Sequence, residues 1–163
     1  MGIGYETPTR DDGSWFYFPD PKVPFYRATN FGKYSPGNLP GERADRYASY
    51  MTEIASSQWR PLDRKFLVER VDASLRDAGL VPHEAPIVSS HIIEVPYAYP
   101  IPTLGRDDAL GVIQPWLGTR GIHARGRFGS WRYEIGNMDH AVKMGSDIAR
   151  RIVVGTAEEA WAL

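Results

Sequence analysis

The sequence predicts an α+β fold: a mainly antiparallel sheet from the first half of the chain and three helices, the last following a Gly-rich strand-turn. Three observations carry this. Short aromatic runs with two-residue alternation crowd the first third. Further along, apolar residues recur at three- and four-residue steps, the spacing of a helix face. The two patterns do not alternate regularly, as a doubly wound α/β sheet requires. The 163 residues suit one domain, 1–163, large enough to bury a core.

The elements follow in order. Ser14 to Phe18 reads as a short aromatic strand closed by Pro19 and Pro21. Val23 to Asn30 is a second strand, broken at Gly32, and Arg46 to Ser56 a third. Ser35 to Glu42 is rich in Pro, Gly and Asn and reads as a loop. Leu62, Phe66, Leu67, Val71 and Leu75 then define a helix stripe, with Gly79 as its stop. Ile87 to Tyr99 is expected to be extended, and Asp107 to about Leu117 helical, with Pro115 near its end. Ile122 to Phe128 is expected to be a strand. Asn137 is placed to cap a final helix carrying Ala141, Met144, Ile148, Ile152 and Val153, ended by Gly155.

Composition narrows the function classes. Lys and Arg total 19 against 20 Asp and Glu, a net charge of -1, which argues against a nucleic-acid partner. No cysteine is present, which excludes a disulfide framework, a thiolate metal site and a cysteine nucleophile. No apolar run reaches the roughly 20 residues of a membrane span. Nor does MGIGYETPTR read as a signal peptide, so the expected location is cytoplasmic, without a membrane partner. No metal site is expected, because the four histidines lack ligand spacing. The 5 Trp, 9 Tyr and 6 Phe suit a ligand with rings and hydroxyls, since Tyr and Trp join a flat apolar face to a polar tip.

Several residues have chemistry beyond packing. Arg27, set among Tyr17, Tyr26 and Tyr34, reads either as a phosphate-binding fork or as a surface arginine in a cation–π contact. Gly126 and Gly129 flank Arg127 and allow close backbone approach to a ligand; a plain glycine-rich turn reads equally. The Asn137 helix start offers free amides to an anion or an electron-rich ring edge. Tyr133, Glu134, Asp139 and His140 are candidate acid–base groups.

The segments WFYFPDPKVPFYRATNFGKYSPGNLP, YPIPTLGRD and GRFGSWRYEIGNMDHAVKMG, in that order, resemble the C-terminal part of flavin-dependent UDP-galactopyranose mutases, most closely the eukaryotic-type branch and its bacterial amine-oxidase-like relatives. That family interconverts the pyranose and furanose forms of UDP-galactose with a reduced FAD. The resemblance implies that Tyr17, Arg27, Tyr99, Tyr133 and Asn137 contact substrate, with Arg27 on the pyrophosphate. It implies that Gly126, Arg127, Asn137 and Met138 lie at the flavin, Met138 standing where the eukaryotic branch often has Gln. Arg127, Tyr133 and His140 are then the catalytic candidates. The same resemblance puts Met1 inside a strand and leaves the dinucleotide-binding Gly-x-Gly-x-x-Gly unit without a counterpart, so FAD is expected to need more than this chain.

The expected function is a nucleotide-sugar mutase-like protein, one half of a split or truncated flavoprotein, binding a UDP-sugar. An FAD-binding partner subunit or a homodimer would cover the exposed sheet edges. The alternative is a stand-alone, flavin-independent enzyme or binding protein that reuses the Tyr/Arg pocket on a nucleotide, nucleotide sugar or specialised metabolite. A third reading is a non-catalytic interaction module.

Overall fold

Two-residue alternation along short strands lays one face of a sheet against a helix and leaves the other face for chemistry. The computed structural model describes residues 1–10 and 13–161. They form two units, Met1–Glu94 and Val95–Leu163.

The first unit holds strands β1 (Gly2–Tyr5), β2 (Trp15–Tyr17), β3 (Arg27–Asn30), β4 (Ala48–Glu53) and β5 (Ile87–His91), and helix α1 (Leu67–Asp77). The sheet order is β2-β3-β4-β1-β5, with every neighbouring pair antiparallel. β1 sits between β4 and β5, although its residue pattern, Gly-Ile-Gly-Tyr, has little strand preference. Pairing on both sides holds it.

Directly opposite residues share a face. Ile3 and Tyr5 of β1, Ala28 of β3, and Ala48 and Tyr50 of β4 therefore point to one side, where Leu67, Val71 and Leu75 of α1 join them in the core. Tyr5 donates its hydroxyl to Asp72 at 2.8 Å, and Arg76 Nε reaches both Asp72 oxygens at 2.9 and 3.0 Å. Burial, then the Asp72 bond, pushes the Tyr5 phenol far above its usual value. Arg76 also donates to the carbonyls of Pro82, His83 and Ala85, which folds the chain after α1 back along the helix end.

The observed strands are shorter than the sequence pattern suggests. Val23 N closes a turn on the Asp20 carbonyl and Pro24 cannot donate to a ladder, so the second strand starts beyond them, at Arg27. Pairing of β5 with β1 ends where His91 meets Gly2, so the strand stops there and does not run to Tyr99. α1 starts at Leu67 because Phe66 adopts a left-handed backbone (φ 52°), which leaves Phe66 exposed and Leu62 outside the helix.

The second unit holds α2 (Arg106–Gly118), α3 (Gly126–Ser130) and α4 (Met138–Val154), which gives four helices in all among the described residues. α2 continues through Pro115. The strand expected over Ile122 to Phe128 is not formed: its last residues begin the one-turn helix α3. Gly126 takes φ 77°, Ser130 Oγ donates back to the Gly126 carbonyl at 2.8 Å, and Gln114 Nε2 donates to the Gly129 carbonyl at 2.7 Å. A Cβ at Gly129 would lie 2.6 Å from the Ala124 carbonyl carbon, so only glycine admits this turn. Asn137 occupies the cap position of α4 with its carbonyl, which accepts from Ala141 N at 2.9 Å, while its side chain makes no capping bond. Of the expected α4 stripe, Met144 and Ile148 are buried; Ile152 and Val153 are exposed.

The tail after α4 is held by buried carboxylates. Asp147 Oδ2 accepts from the backbone N–H groups of Glu159 and Ala160, both at 3.1 Å, and Oδ1 accepts from Lys143. Glu158 is gripped by Arg125 (2.8 Å) and Arg151 (2.7 Å). The Lys143 ammonium holds the Asp147 carboxyl below its usual value, and Arg125 does the same for Glu158.

Two outcomes follow from this packing. Leu75 is fully buried, so Leu75→Ala should cost about 2–5 kcal/mol in urea unfolding, against less than about 0.5 kcal/mol for the exposed Val88→Ala. The depressed Asp147 and Glu158 values contribute stability that is complete above the ordinary carboxylate pKa of about 4 and is lost as pH falls through the lower folded-state values. Proteolysis of the 156–161 tail should therefore accelerate below about pH 4, and Asp147→Asn should reduce that pH dependence while exposing the tail at neutral pH.

Candidate functional site

On β2, β3 and β4 the sheet face away from α1 carries charge and rings. Register sets Tyr17 opposite Arg27 and Arg27 opposite Glu53, so the three share this face. The Arg27 guanidinium carbon lies 5.2 Å from the Trp15 ring centroid and 5.9 Å from that of Tyr17. Its Nε donates to Glu53 Oε1 at 2.9 Å, and Nη2 donates to the same oxygen. Tyr26 donates its hydroxyl to Glu53 Oε2, and Trp15 Nε1 donates to the Tyr34 hydroxyl. Arg27 and Glu53 are about one-fifth exposed, whereas Trp15, Tyr17 and Tyr34 are exposed. The result is an arginine held side-on in an aromatic frame that faces solvent.

The second unit builds a similar device. Arg127 of α3 donates Nε to the Gly136 carbonyl at 2.6 Å, and its guanidinium lies 4.8 Å from the Tyr99 centroid and 5.8 Å from that of Tyr133. The two tyrosine rings meet edge to face with centroids 5.6 Å apart. Arg106 pins the loop before α4 through Glu134 at 3.0 Å; a backbone hydrogen bond, and after it Arg106, pull the Glu134 carboxyl below its usual value. A Cβ at Gly136 would sit 2.9 Å from Arg127 Cγ and Nε and from the Arg132 carbonyl oxygen, so the arginine fills the space a side chain would take.

The sequence-derived residues thus gather in two groups. Tyr17 and Arg27 meet in the first unit; Tyr99, Arg127 and Tyr133 meet in the second. Gly126 opens α3, where its positive φ starts the turn that carries Arg127. Asn137 and Met138 lie at the exposed start of α4. His140 is in the first turn of the same helix, with Nδ1 buried and without a hydrogen-bond partner.

Glu53, Trp15 and Gly136 enter the site without having been singled out from the sequence. Glu53 lies on the run Arg46 to Ser56 and its facing was readable from the two-residue period; its pairing with Arg27 needed the β3–β4 register. Trp15 stands two residues from Tyr17, the same-face spacing of a strand. Gly136 gave no local signal, because its requirement comes from a side chain nine residues away.

Among the described residues, no group of three or more His, Asp or Glu side chains is arranged to hold a metal ion. No helix among them is long and apolar enough to cross a membrane.

No family model matches the chain. It is similar to the crystal structure of a reduced UDP-galactopyranose mutase, with 34% sequence identity and a TM-score of 0.86, over 99% of this chain and 34% of that one. The chain has a UDP-galactopyranose mutase-like fold and spans about a third of the length of that mutase.

Gly136→Ala should displace Arg127 from the Gly136 carbonyl and lower stability by about 1–3 kcal/mol in urea unfolding. Removing the arginine as well, in Gly136→Ala/Arg127→Ala, should recover only part of that loss, because the Arg132 carbonyl still obstructs the new methyl group.

Proposed function

We propose that this chain binds the diphosphate and sugar of a UDP-sugar and serves a pyranose–furanose mutase whose FAD is held largely by other polypeptide. The supporting observation is the likeness along 99% of the chain to a UDP-galactopyranose mutase at 34% identity, in a protein whose Tyr17–Arg27 and Tyr99–Arg127–Tyr133 groups set an arginine beside hydroxyl-bearing rings.

In this reading Arg27 grips the diphosphate, since a planar fork matches two phosphate oxygens. Tyr17 donates a hydrogen bond beside it; in the second unit, Tyr99, Tyr133 and Asn137 are the proposed substrate contacts. Arg127, Tyr133 and His140 stand at the reacting end, where Arg127 holds developing negative charge and the other two are placed to move protons. Gly126, Arg127, Asn137 and Met138 would be the residues that contact the flavin. The residues fit that role: the Asn137 side chain makes no capping bond, and the first-turn N–H groups of the 17-residue α4 have no acceptor within the helix. When bound, a reduced flavin would supply the electron pair that attacks the sugar's anomeric carbon. The ADP half of the cofactor finds no Gly-x-Gly-x-x-Gly turn in this sequence.

The flavin-binding part is proposed to come from polypeptide outside these 163 residues. The chain spans about a third of the mutase it matches, and the edge strand β5 is exposed throughout, with its Ile87 and Val88, and Ile92 and Ile93 just after it, open to solvent.

Calorimetric titration of UDP-galactose tests the reading. Arg27→Ala should weaken binding roughly 10- to 150-fold, the equivalent of one charge-assisted hydrogen bond of about 1.5–3 kcal/mol, and Arg27→Lys should restore only part. The visible spectrum of the protein, with added FAD and with its partner, should show flavin absorption only when the partner is present. Failure of both the chain and its flavin-bound complex to take up UDP-galactose would overturn the reading and leave a flavin-independent binding protein as the account.

A further inference from the structure

The five N–H donors of an arginine are divided by geometry: one edge of the fork is Nε with Nη2, and the end is Nη1 with Nη2. In Arg27 the side edge is taken by Glu53, whose Oε1 accepts from both Nε and Nη2. Glu53 is itself braced, because Tyr26 donates to its other oxygen. The two residues are direct cross-strand partners, so the backbone ladder sets their separation. Trp15 and Tyr17 lie beside the guanidinium and restrict its rotation about the chain axis. An arginine alone on a sheet surface would sample many rotamers, and a ligand would have to freeze them at binding.

We propose that Glu53 is a positioning residue: it holds Arg27 by the side edge and turns the Nη1–Nη2 end of the fork toward the ligand side of the open sheet face. The inference rests on the diphosphate-binding reading above and adds a residue to it. Glu53 does not touch the ligand; it acts through Arg27. The sign of its effect separates this role from plain charge repulsion. If Glu53 merely opposed an anion, removing its charge would tighten binding. If it orients the fork, the same change weakens binding.

The test is calorimetric titration of inorganic pyrophosphate and of UDP-galactose into wild type, Glu53→Gln, Arg27→Ala and the double variant, with the Arg27 Nε–H followed by NMR exchange. Glutamine keeps the size and an acceptor oxygen and loses the charge. Glu53→Gln should weaken both ligands about tenfold when Arg27 is present and less than about twofold when it is alanine. The Arg27 Nε proton should exchange slowly in wild type and quickly in Glu53→Gln. Tyr26→Phe leaves every charge in place and removes one brace, so it should weaken binding in the same direction by a smaller factor; it also carries the test if Glu53→Gln does not fold. Unchanged or tighter binding in Glu53→Gln and Tyr26→Phe, or an equal loss in the Arg27→Ala background, overturns the proposal. If wild type takes up neither ligand, the nucleotide-sugar reading fails, and Glu53 is judged by NMR: Nε exchange that ignores Glu53→Gln overturns the proposal, and accelerated exchange upholds the hold on Arg27.

Discussion

Strand β3 lies between β2 and β4, and its register with them is the constraint on which the first unit depends. In one register Ala28 faces the core and Arg27 faces out between Tyr17 and Glu53. A slip of a single residue would send every side chain of the strand to the other face. Arg27 would then enter a core of Tyr5, Tyr50 and Phe25, where a charge without its partner is costly. Core packing and the polar face are thus two readings of one hydrogen-bond ladder. The apolar side enforces the register, and the polar side inherits a fixed arrangement from it. This is how a short three-residue strand such as β2 can hold Trp15 and Tyr17 in place beside an arginine.

The second unit uses a different means to a comparable end. Its described core is small, with Met144, Ile148 and Ala160 buried, and much of its order comes from carboxylates that each meet several donors. Asp147 joins α4 to the tail, Glu158 joins the tail to Arg125 and Arg151, and Glu134 joins the loop before α4 to Arg106. Such pairs stay favourable only while each donor and acceptor is satisfied, which makes the unit sensitive to the removal of one member. Arg127 differs from these, for its fixed contact is with a backbone carbonyl and two rings. Its charge is not cancelled by a carboxylate in those contacts. In the proposed function this suits Arg127 to charge that develops during a reaction, and Arg27, balanced by Glu53, to a charge that is present throughout.

The likeness to a mutase bears on surface as well as on site. The chain matches about a third of that mutase's length, and β5, with Ile87 and Val88 exposed and Ile92 and Ile93 exposed just beyond it, has the character of a face suited to being covered. Long edge strands of this composition invite pairing.

What the sequence determined by itself is the material of the fold and site. Period-two runs specified β2, β3 and β4, period-three-and-four runs specified α1 and α4, an acidic first turn marked α2, and the order of the FYRATNF, YPIPTLGRD and GRFGSWRYEIGN segments carried the family resemblance and its candidate residues. These are local properties, set by each residue's own conformational preference and its immediate neighbours. Tertiary structure decided the rest. β1 is a strand because β4 and β5 pair with it, in spite of its two glycines. The segment after Ala124 is a helical turn and not a strand because Gly129 packs on the Ala124 backbone and Gln114 ties the turn to α2. Glu53 joined Arg27, and Gly136 joined Arg127, through contacts spanning 26 and 9 residues of chain. Contacts of that kind depend on which strand lies beside which and on how a loop closes, and no window of neighbouring residues contains that information.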